Sequence, residues 1–155
     1  PQRHHSRVPR LKCRAIVYAT PPMNATAFQT LRALADGAFH SGEDIARLLG
    51  LTRSAVWYGI RDLNAAGLQV ETVRGRGYRL ARPLSLLDKT VVGQALGPLA
   101  GDFELEIVNS LESTNSTLLA RAAEGAPSGL VLAAEQQLAG RGRRGRAWRS
   151  QMGHA

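Results

Sequence analysis

The sequence predicts an α+β fold, an N-terminal winged helix-turn-helix followed by an α/β segment. Three observations carry this. Apolar residues recur at helical spacing through residues 26–66 with Gly between the segments. Two short extended runs then flank Arg74-Gly75-Arg76-Gly77, and beyond Pro83 helical and extended patterns alternate.

Residues 1–22 show no hydrophobic period and end in Thr20-Pro21-Pro22, so a disordered basic extension is expected ahead of Met23. From Thr26, the positions Phe28, Leu31, Leu34, Ala35 and Ala38 fall on one face of a first helix. Ser41 followed by Asp44 resembles a capping box and opens a second helix, with Ile45, Leu48 and Leu49 inward and Gly50 as its stop. A third helix, 53–66, turns Val56, Ile60 and Leu63 to the core and ends at Gly67. Helix, Gly-containing turn, helix is the helix-turn-helix arrangement. The runs 68–73 and 77–81 form a hairpin behind it, a wing whose tip carries Arg74, Arg76 and Arg79 while Tyr78 and Leu80 pack back. Pro83 cannot extend that pairing and marks a boundary. A short helix over 88–99, a half-buried strand over 103–107, a helix over 115–123 with Leu118, Leu119 and Ala122 on one face, and a buried strand over 130–134 complete the pattern. Three units are expected, 1–22, 23–83 and 84–155, and both ends of the chain read as cut.

The formal net charge is +8, and its distribution is more informative than its total. Residues 1–14 and 141–149 carry five basic side chains each and no acid. Residues 24–83 are net +3 and residues 84–140 net −5, so the first module suits DNA and the second is an acidic body with one basic loop. A lone Cys13 excludes an intramolecular disulfide and a cysteine-built zinc site, and His4, His5, His40 and His154 lack metal-ligand spacing, so no metal site is read from the chain. No apolar stretch is long enough to cross a bilayer, and the basic start has too weak an apolar part for a signal peptide. A soluble cytoplasmic protein with no membrane partner is expected.

The most informative stretch is Gly140-Arg141-Gly142-Arg143-Arg144-Gly145-Arg146-Ala147-Trp148. Its glycines let the backbone fold tightly around a ligand, and its arginines supply fixed charge for phosphate or carboxylate. The spelling G-x-G-x-x-G also matches a dinucleotide fingerprint, which needs a strand directly before the glycines and a helix directly after them. Here a polar Gln-Gln-Leu-Ala spacer precedes and Arg-Ala-Trp-Arg-Ser follows, which disfavours that reading. Ser113-Thr114-Asn115 sits where a loop enters a helix, as an ordinary N-cap or as hydroxyl and amide groups presented beside unpaired helix N–H donors.

Glu135-Gln136-Gln137, Ala139 through Gly145, Trp148 and Ser150 together resemble the biotin-binding loop of biotin protein ligases. Ser113-Thr114-Asn115 is similar to a second signature of that family, at the same order and spacing. The N-terminal part resembles the winged helix of the ligases that double as biotin operon repressors. The resemblance covers about residues 24–150. It implies a winged helix-turn-helix DNA-binding domain followed by a truncated biotin protein ligase catalytic domain, because the family's Lys-Trp-Pro-Asn-Asp segment, with its essential lysine, does not occur in this chain.

By that resemblance Ser113, Thr114, Asn115, Gln136, Gly140, Arg141, Gly142, Arg143, Arg144, Gly145 and Arg146 contact biotin or its adenylate. The cofactors implied are biotin, ATP and Mg²⁺. The partners implied are the biotin carrier domain of acetyl-CoA carboxylase, operator DNA, and a second copy in a ligand-driven homodimer. Without ligand, the clustered arginines repel one another and the loop is expected to be mobile. For DNA, the start of the third helix enters the major groove, making Arg53, Ser54, Trp57 and Arg61 base or phosphate contacts, with Arg74 and Arg76 on the backbone. Trp57 is either such a contact or a residue packed under the wing. The reading from another class is a non-enzymatic winged-helix regulator with a small-ligand pocket.

Overall fold

The computed structural model describes residues 22–143, 146–148 and 152. The basic extension expected over 1–22 therefore lies, except for Pro22, outside the described residues, as do Cys13, Arg144, Gly145 and Ser150. Three helices open the fold: α1 (Ala25–Leu34), α2 (Gly42–Leu49) and α3 (Arg53–Ala65). Each starts on a side-chain cap from Asn24, Ser41 and Thr52, which accept the N–H of Ala27, Asp44 and Ala55. Strands β1 (Val70–Val73) and β2 (Gly77–Leu80) pair antiparallel as the wing. Then come α4 (Lys89–Leu96), a 3₁₀ stretch (Gly97–Asp102), β3 (Glu104–Leu111), α5 (Thr114–Ala123), β4 (Leu130–Gln137) and the short pair β5 (Gly140–Arg141) and β6 (Ala147–Trp148).

The helical module has one hydrophobic core. Phe28, Leu31 and Leu34 of α1, Ile45 and Ala46 of α2, Val56, Ile60 and Leu63 of α3 and Leu80 of β2 are all buried in it, together with Met23. Burying so many apolar side chains against one another stabilises the three short helices, none of which is long enough to hold in isolation. The wing is bound to that core through backbone. His40 and Tyr78 exchange both N–H···O bonds, at 2.9 and 2.8 Å, which adds the segment before α2 to the hairpin as a third strand position. Gly77 (φ +100°) lies flush on that segment, where a Cβ would overlap the His40 carbonyl.

Several expectations are corrected. The first helix ends at Leu34, and Ala38 is exposed, because the Asp36 carboxylate accepts the Ala38 N–H and turns the chain locally. Leu48 is 74% exposed; the buried face of α2 runs through Ile45, Ala46 and Leu49, and Leu48 projects well off it. The capping box closes only in part: Ser41 caps Asp44 N–H, but the Asp44 carboxylate takes the Ser41 hydroxyl proton. In the α/β segment Leu119 is 64% exposed and Ala122 is exposed as well. The strand expected over 103–107 is longer, Glu104–Leu111, and is half-buried for most of its length. The strand expected to end at Ala134 runs to Gln137, and Leu132 is its one buried apolar residue among those described.

β3 and β4 are parallel and in register from Glu104↔Leu130 to Leu111↔Gln137, with α5 as the crossover between them. Arg121 of α5 donates to Glu106 of β3, and this bond holds the Glu106 carboxyl below the usual carboxylate range.

Among the described residues the two parts of the chain meet where Leu84, Leu86 and Met152 pack against the helical core, and at a polar node. Leu87 N–H donates to the Glu135 carboxylate at 2.6 Å, and Arg32 of α1 lies 3.7 Å from the same oxygen. Arg32 also donates to the Leu87 carbonyl and to Asn109 of β3, at 3.3 and 3.4 Å. Burial pushes the Glu135 carboxyl up from its ordinary value, against the opposing pull of the Leu87 N–H and the Arg32 charge.

Two stability predictions follow from these contacts. Gly77→Ala adds a Cβ where the backbone has positive φ and a neighbouring carbonyl stands in the way. It should cost about 2–4 kcal/mol by the combined size of backbone strain and overpacking, read as a fall in the thermal midpoint. A midpoint unchanged by the substitution would contradict the wing geometry. At Glu135, a raised folded-state pKa contributes stability that is present below the ordinary carboxylate value and lost as pH rises through the raised one. Gln at that position keeps an acceptor for Leu87 N–H and does not ionise. Melting curves of Glu135→Gln and the unsubstituted protein should therefore diverge in favour of the variant as pH rises from acid to neutral; a constant difference would show that Glu135 is not perturbed.

Candidate functional site

The strand pairing delivers the two motifs to one place. β3 ends at Leu111 and runs through Glu112 into Ser113, the N-cap of α5, while β4 ends at its register partner Gln137. Pairing continues past both strands, with Leu138 N–H on the Leu111 carbonyl at 2.9 Å and Ala139 N–H on the Glu112 carbonyl at 2.8 Å. Ser113-Thr114-Asn115 and the start of the glycine–arginine loop are thus neighbours at the carboxyl edge of a parallel pair, where open α/β sheets bind ligands.

Ser113 is buried and accepts Ser116 N–H. Thr114 donates its N–H (2.9 Å) and its hydroxyl (3.2 Å) to Gln137 Oε1. Asn115 is exposed in the first turn of α5. Thr117 N–H is taken by the Ser113 carbonyl. Of the donors expected to be unpaired at this helix start, Thr114 and Ser116 N–H are satisfied by side chains within the fold. What the site offers a ligand is side-chain chemistry. Gln136 is 3% exposed, and its Oε1 is buried without a hydrogen-bond partner among the described residues. An orphaned buried carbonyl oxygen costs about 1–3 kcal/mol, which a donor on a ligand would recover.

Gln137 was not among the site residues inferred from sequence. Adjacent strand residues point to opposite faces, so Gln136 and Gln137 separate, and Gln137 is the one that meets Thr114. That alternation is invisible if the strand is taken to stop at Ala134.

Among its described residues the loop is a hairpin. Gly140 pairs with Trp148 and Arg141 with Ala147, and Gly142 N–H reaches the Arg146 carbonyl at 2.7 Å. Gly140 is buried against the Trp148 carbonyl, where a Cβ would meet backbone oxygen at 2.8 Å. Arg141, Arg143 and Arg146 are exposed, and Gly142 is half-buried. Arg144 and Gly145 lie outside the described residues. Gln136 and Gln137 of the Gln-Gln-Leu-Ala spacer belong to β4; a hairpin rather than a helix is built on the described glycines, so the dinucleotide geometry is not formed.

At the other end of the chain, Arg53 and Ser54 stand exposed on the first turn of α3. Trp57 is 53% exposed and therefore not packed under the wing; its ring meets that of Tyr58 edge-on at 5.1 Å. Tyr58, 51% exposed, is a surface aromatic that sequence reasoning passed over. The Arg61 guanidinium lies 4.9 Å from the Tyr58 ring and 6.0 Å from that of Trp57, and it also bonds Asp62, so it is held along α3. Arg74 and Arg76 are exposed at the wing tip. No helix among the described residues is long and apolar enough to cross a membrane.

An HTH domain family model matches residues 26–79, the span of the three helices and the wing. The chain is 42% identical over 130 residues to the bifunctional ligase/repressor BirA of Escherichia coli (strain K12), covering 84% of this chain and 39% of that protein. It is 38% identical over 120 residues to the protein of the same name from Bacillus subtilis (strain 168), covering 77% of this chain and 37% of that one. To a biotin–[acetyl-CoA-carboxylase] ligase of Mycobacterium tuberculosis (strain ATCC 25618 / H37Rv) it is 48% identical over 71 residues, 45% of this chain and 26% of that one. It thus spans about two fifths of the length of the ligase/repressors it matches. Over that span the chain, an HTH domain leading into an α/β segment, is similar to these bifunctional ligase/repressors.

Proposed function

We propose that the protein carrying this sequence activates biotin with ATP and represses transcription in response to biotin. The biotin carboxylate attacks the α-phosphate of ATP, giving biotinyl-5′-AMP and pyrophosphate. A lysine of the carrier domain of acetyl-CoA carboxylase then takes the biotinyl group and AMP leaves. Mg²⁺ bound with ATP supplies charge at the phosphates. In this reading 1–22 is a basic extension, 23–83 the DNA-reading unit and 84–155 part of the ligase unit. The site of action is the cytoplasm, and the DNA-bound form is a homodimer made when ligand binds.

The observation that carries the ligase reading is the meeting of Ser113–Asn115, the Gln136–Gln137 strand end and the root of the glycine–arginine loop at Gly140 and Arg141 at one sheet edge. A bicyclic urea needs donors and acceptors together, and Thr114, Asn115, Gln136 and Gln137 provide both. Arg141, Arg143, Arg144 and Arg146 supply the cations for the phosphate that the adenylate brings. On the DNA side, the exposed start of α3 supports Arg53, Ser54 and Trp57 as base-edge contacts, with Arg61 beside them and Arg74 and Arg76 on phosphates.

Incubating the protein that carries this chain with labelled biotin and ATP should yield biotinyl-5′-AMP. Its absence would leave the non-enzymatic regulator as the better reading. Arg143→Gly should weaken adenylate retention by about 1.5–3 kcal/mol, the typical strength of a charged hydrogen bond, and label bystander proteins diffusely. For DNA, Arg53→Ala should cost about 1–3 kcal/mol and relax sequence preference, whereas Arg74→Ala should lower affinity uniformly and flatten the salt dependence by about one unit of slope. Identical behaviour of the two variants in a salt titration would contradict the division between reading helix and wing.

A further inference from the structure

Two wing arginines share one aromatic ring. The guanidinium carbon of Arg76 lies 4.4 Å, and that of Arg79 4.6 Å, from the centroid of Phe39, which is half-buried in the segment between α1 and α2. The ring reaches the wing because its neighbour His40 is bonded to Tyr78 by backbone on both sides and Gly77 sits flush against that stretch. Arg79 is fixed further by its cross-strand partner Glu71, whose carboxylate it meets at 2.7 Å. Arg76 has no carboxylate partner among the described residues and is exposed.

The consequence lies in how these charges are divided. Two guanidinium groups on one ring repel each other, and the Glu71 carboxylate offsets the charge of Arg79 only. Arg79 is therefore a neutralised buttress and Arg76 the cation left over, its planar group laid on an aromatic face rather than sweeping through solvent. An arginine whose side-chain freedom is already restricted loses less entropy on meeting a phosphate, so the ring raises affinity without touching the ligand.

We infer that Phe39 is a positioning residue for DNA binding: it holds Arg76, with Arg79 and Glu71 as the buttress, as a preorganised contact for a backbone phosphate. The inference rests on the DNA-binding reading above and names a residue outside the reading helix and the wing.

The test is binding of the chain to a generic duplex DNA across a salt series, read as affinity and as the slope of its salt dependence. Arg76→Ala should remove about one unit of slope. Phe39→Leu keeps apolar bulk but not the aromatic face; it should lower affinity about two- to fivefold, the usual range for an exposed cation–π contact, and Phe39→Tyr should restore it. Adding Arg76→Ala to Phe39→Leu should then cost clearly less than Arg76→Ala alone, a coupling that a merely structural role for the ring would not produce. Should Phe39→Leu unfold, Arg76→Lys makes the same distinction on an intact core: charge and slope stay, the stacked plane is lost and affinity falls. Leu at position 39 binding as well as Phe, or additive losses in the double variant, would overturn the inference while leaving the DNA reading in place. Absence of salt-dependent duplex binding by the unsubstituted chain would overturn both.

Discussion

The parallel pairing of β3 with β4 is the constraint on which the candidate ligand site depends. Parallel neighbours cannot be joined by a tight turn, so the chain has to cross over through α5, and the crossover starts where β3 ends. That puts the first turn of α5 beside the last residues of β4. Thr114 and Gln137, 23 positions apart, bond because of it. The same register brings Leu138 and Ala139 alongside Leu111 and Glu112, which sets the root of the glycine–arginine hairpin. A one-residue slip would exchange Gln136 and Gln137 between faces, removing both the Thr114 bond and the buried carboxamide.

The helical module is organised differently, by a hydrophobic core that the three helices share; Leu84 and Leu86 pack against that core, and polar groups join the module to the sheet. Arg32 belongs to α1, which buries Phe28, Leu31 and Leu34 in that core. Its guanidinium reaches Leu87, Asn109 and Glu135. Glu135 directly precedes the two glutamines of the site. The seam between the modules is thus fastened next to the residues proposed to meet biotin. Its carboxylate is desolvated and held by one backbone N–H and one arginine, a more conditional attachment than a packed apolar interface, because each partner removed leaves a buried charge worse off.

The helical module was legible almost residue by residue. The cap at Ser41, Gly stops and three-and-four spacing are local signals, and the residues they predicted at Phe28, Leu31, Leu34, Ile45, Val56, Ile60 and Leu63 all lie in the observed core. Leu48 misled because an eight-residue helix has room for only a narrow buried face, and composition does not say which leucine lies off it. The sheet was less legible. Polar Glu135, Gln136 and Gln137 read as a break, yet they extend β4, because pairing with Ser110 and Leu111 is a long-range fact with no local trace. Gln137 and the satisfied amides at the start of α5 were hidden for the same reason. Phe39 was hidden by another: nothing in the sequence says that a ring before α2 lies under arginines 37 and 40 residues later.

The two basic surfaces answer one physical problem in the same way. An anion is bound most tightly by cations that do not have to be collected first, yet arginines placed together repel and spread. At the wing, two strands and the His40–Tyr78 exchange fix the backbone on both sides of Arg74 and Arg76, and at the loop the Gly140–Trp148 and Arg141–Ala147 pairs hold the backbone at its root. Under the proposed function the differences follow from what each would bind. The wing adds an aromatic ring and a carboxylate beside its arginines, as would suit the rigid, ever-present charge of a DNA backbone. Of the loop's described arginines, 141, 143 and 146 stand exposed, with none bonded to a carboxylate among the described residues, as would suit an adenylate that is made in place and enclosed after it forms.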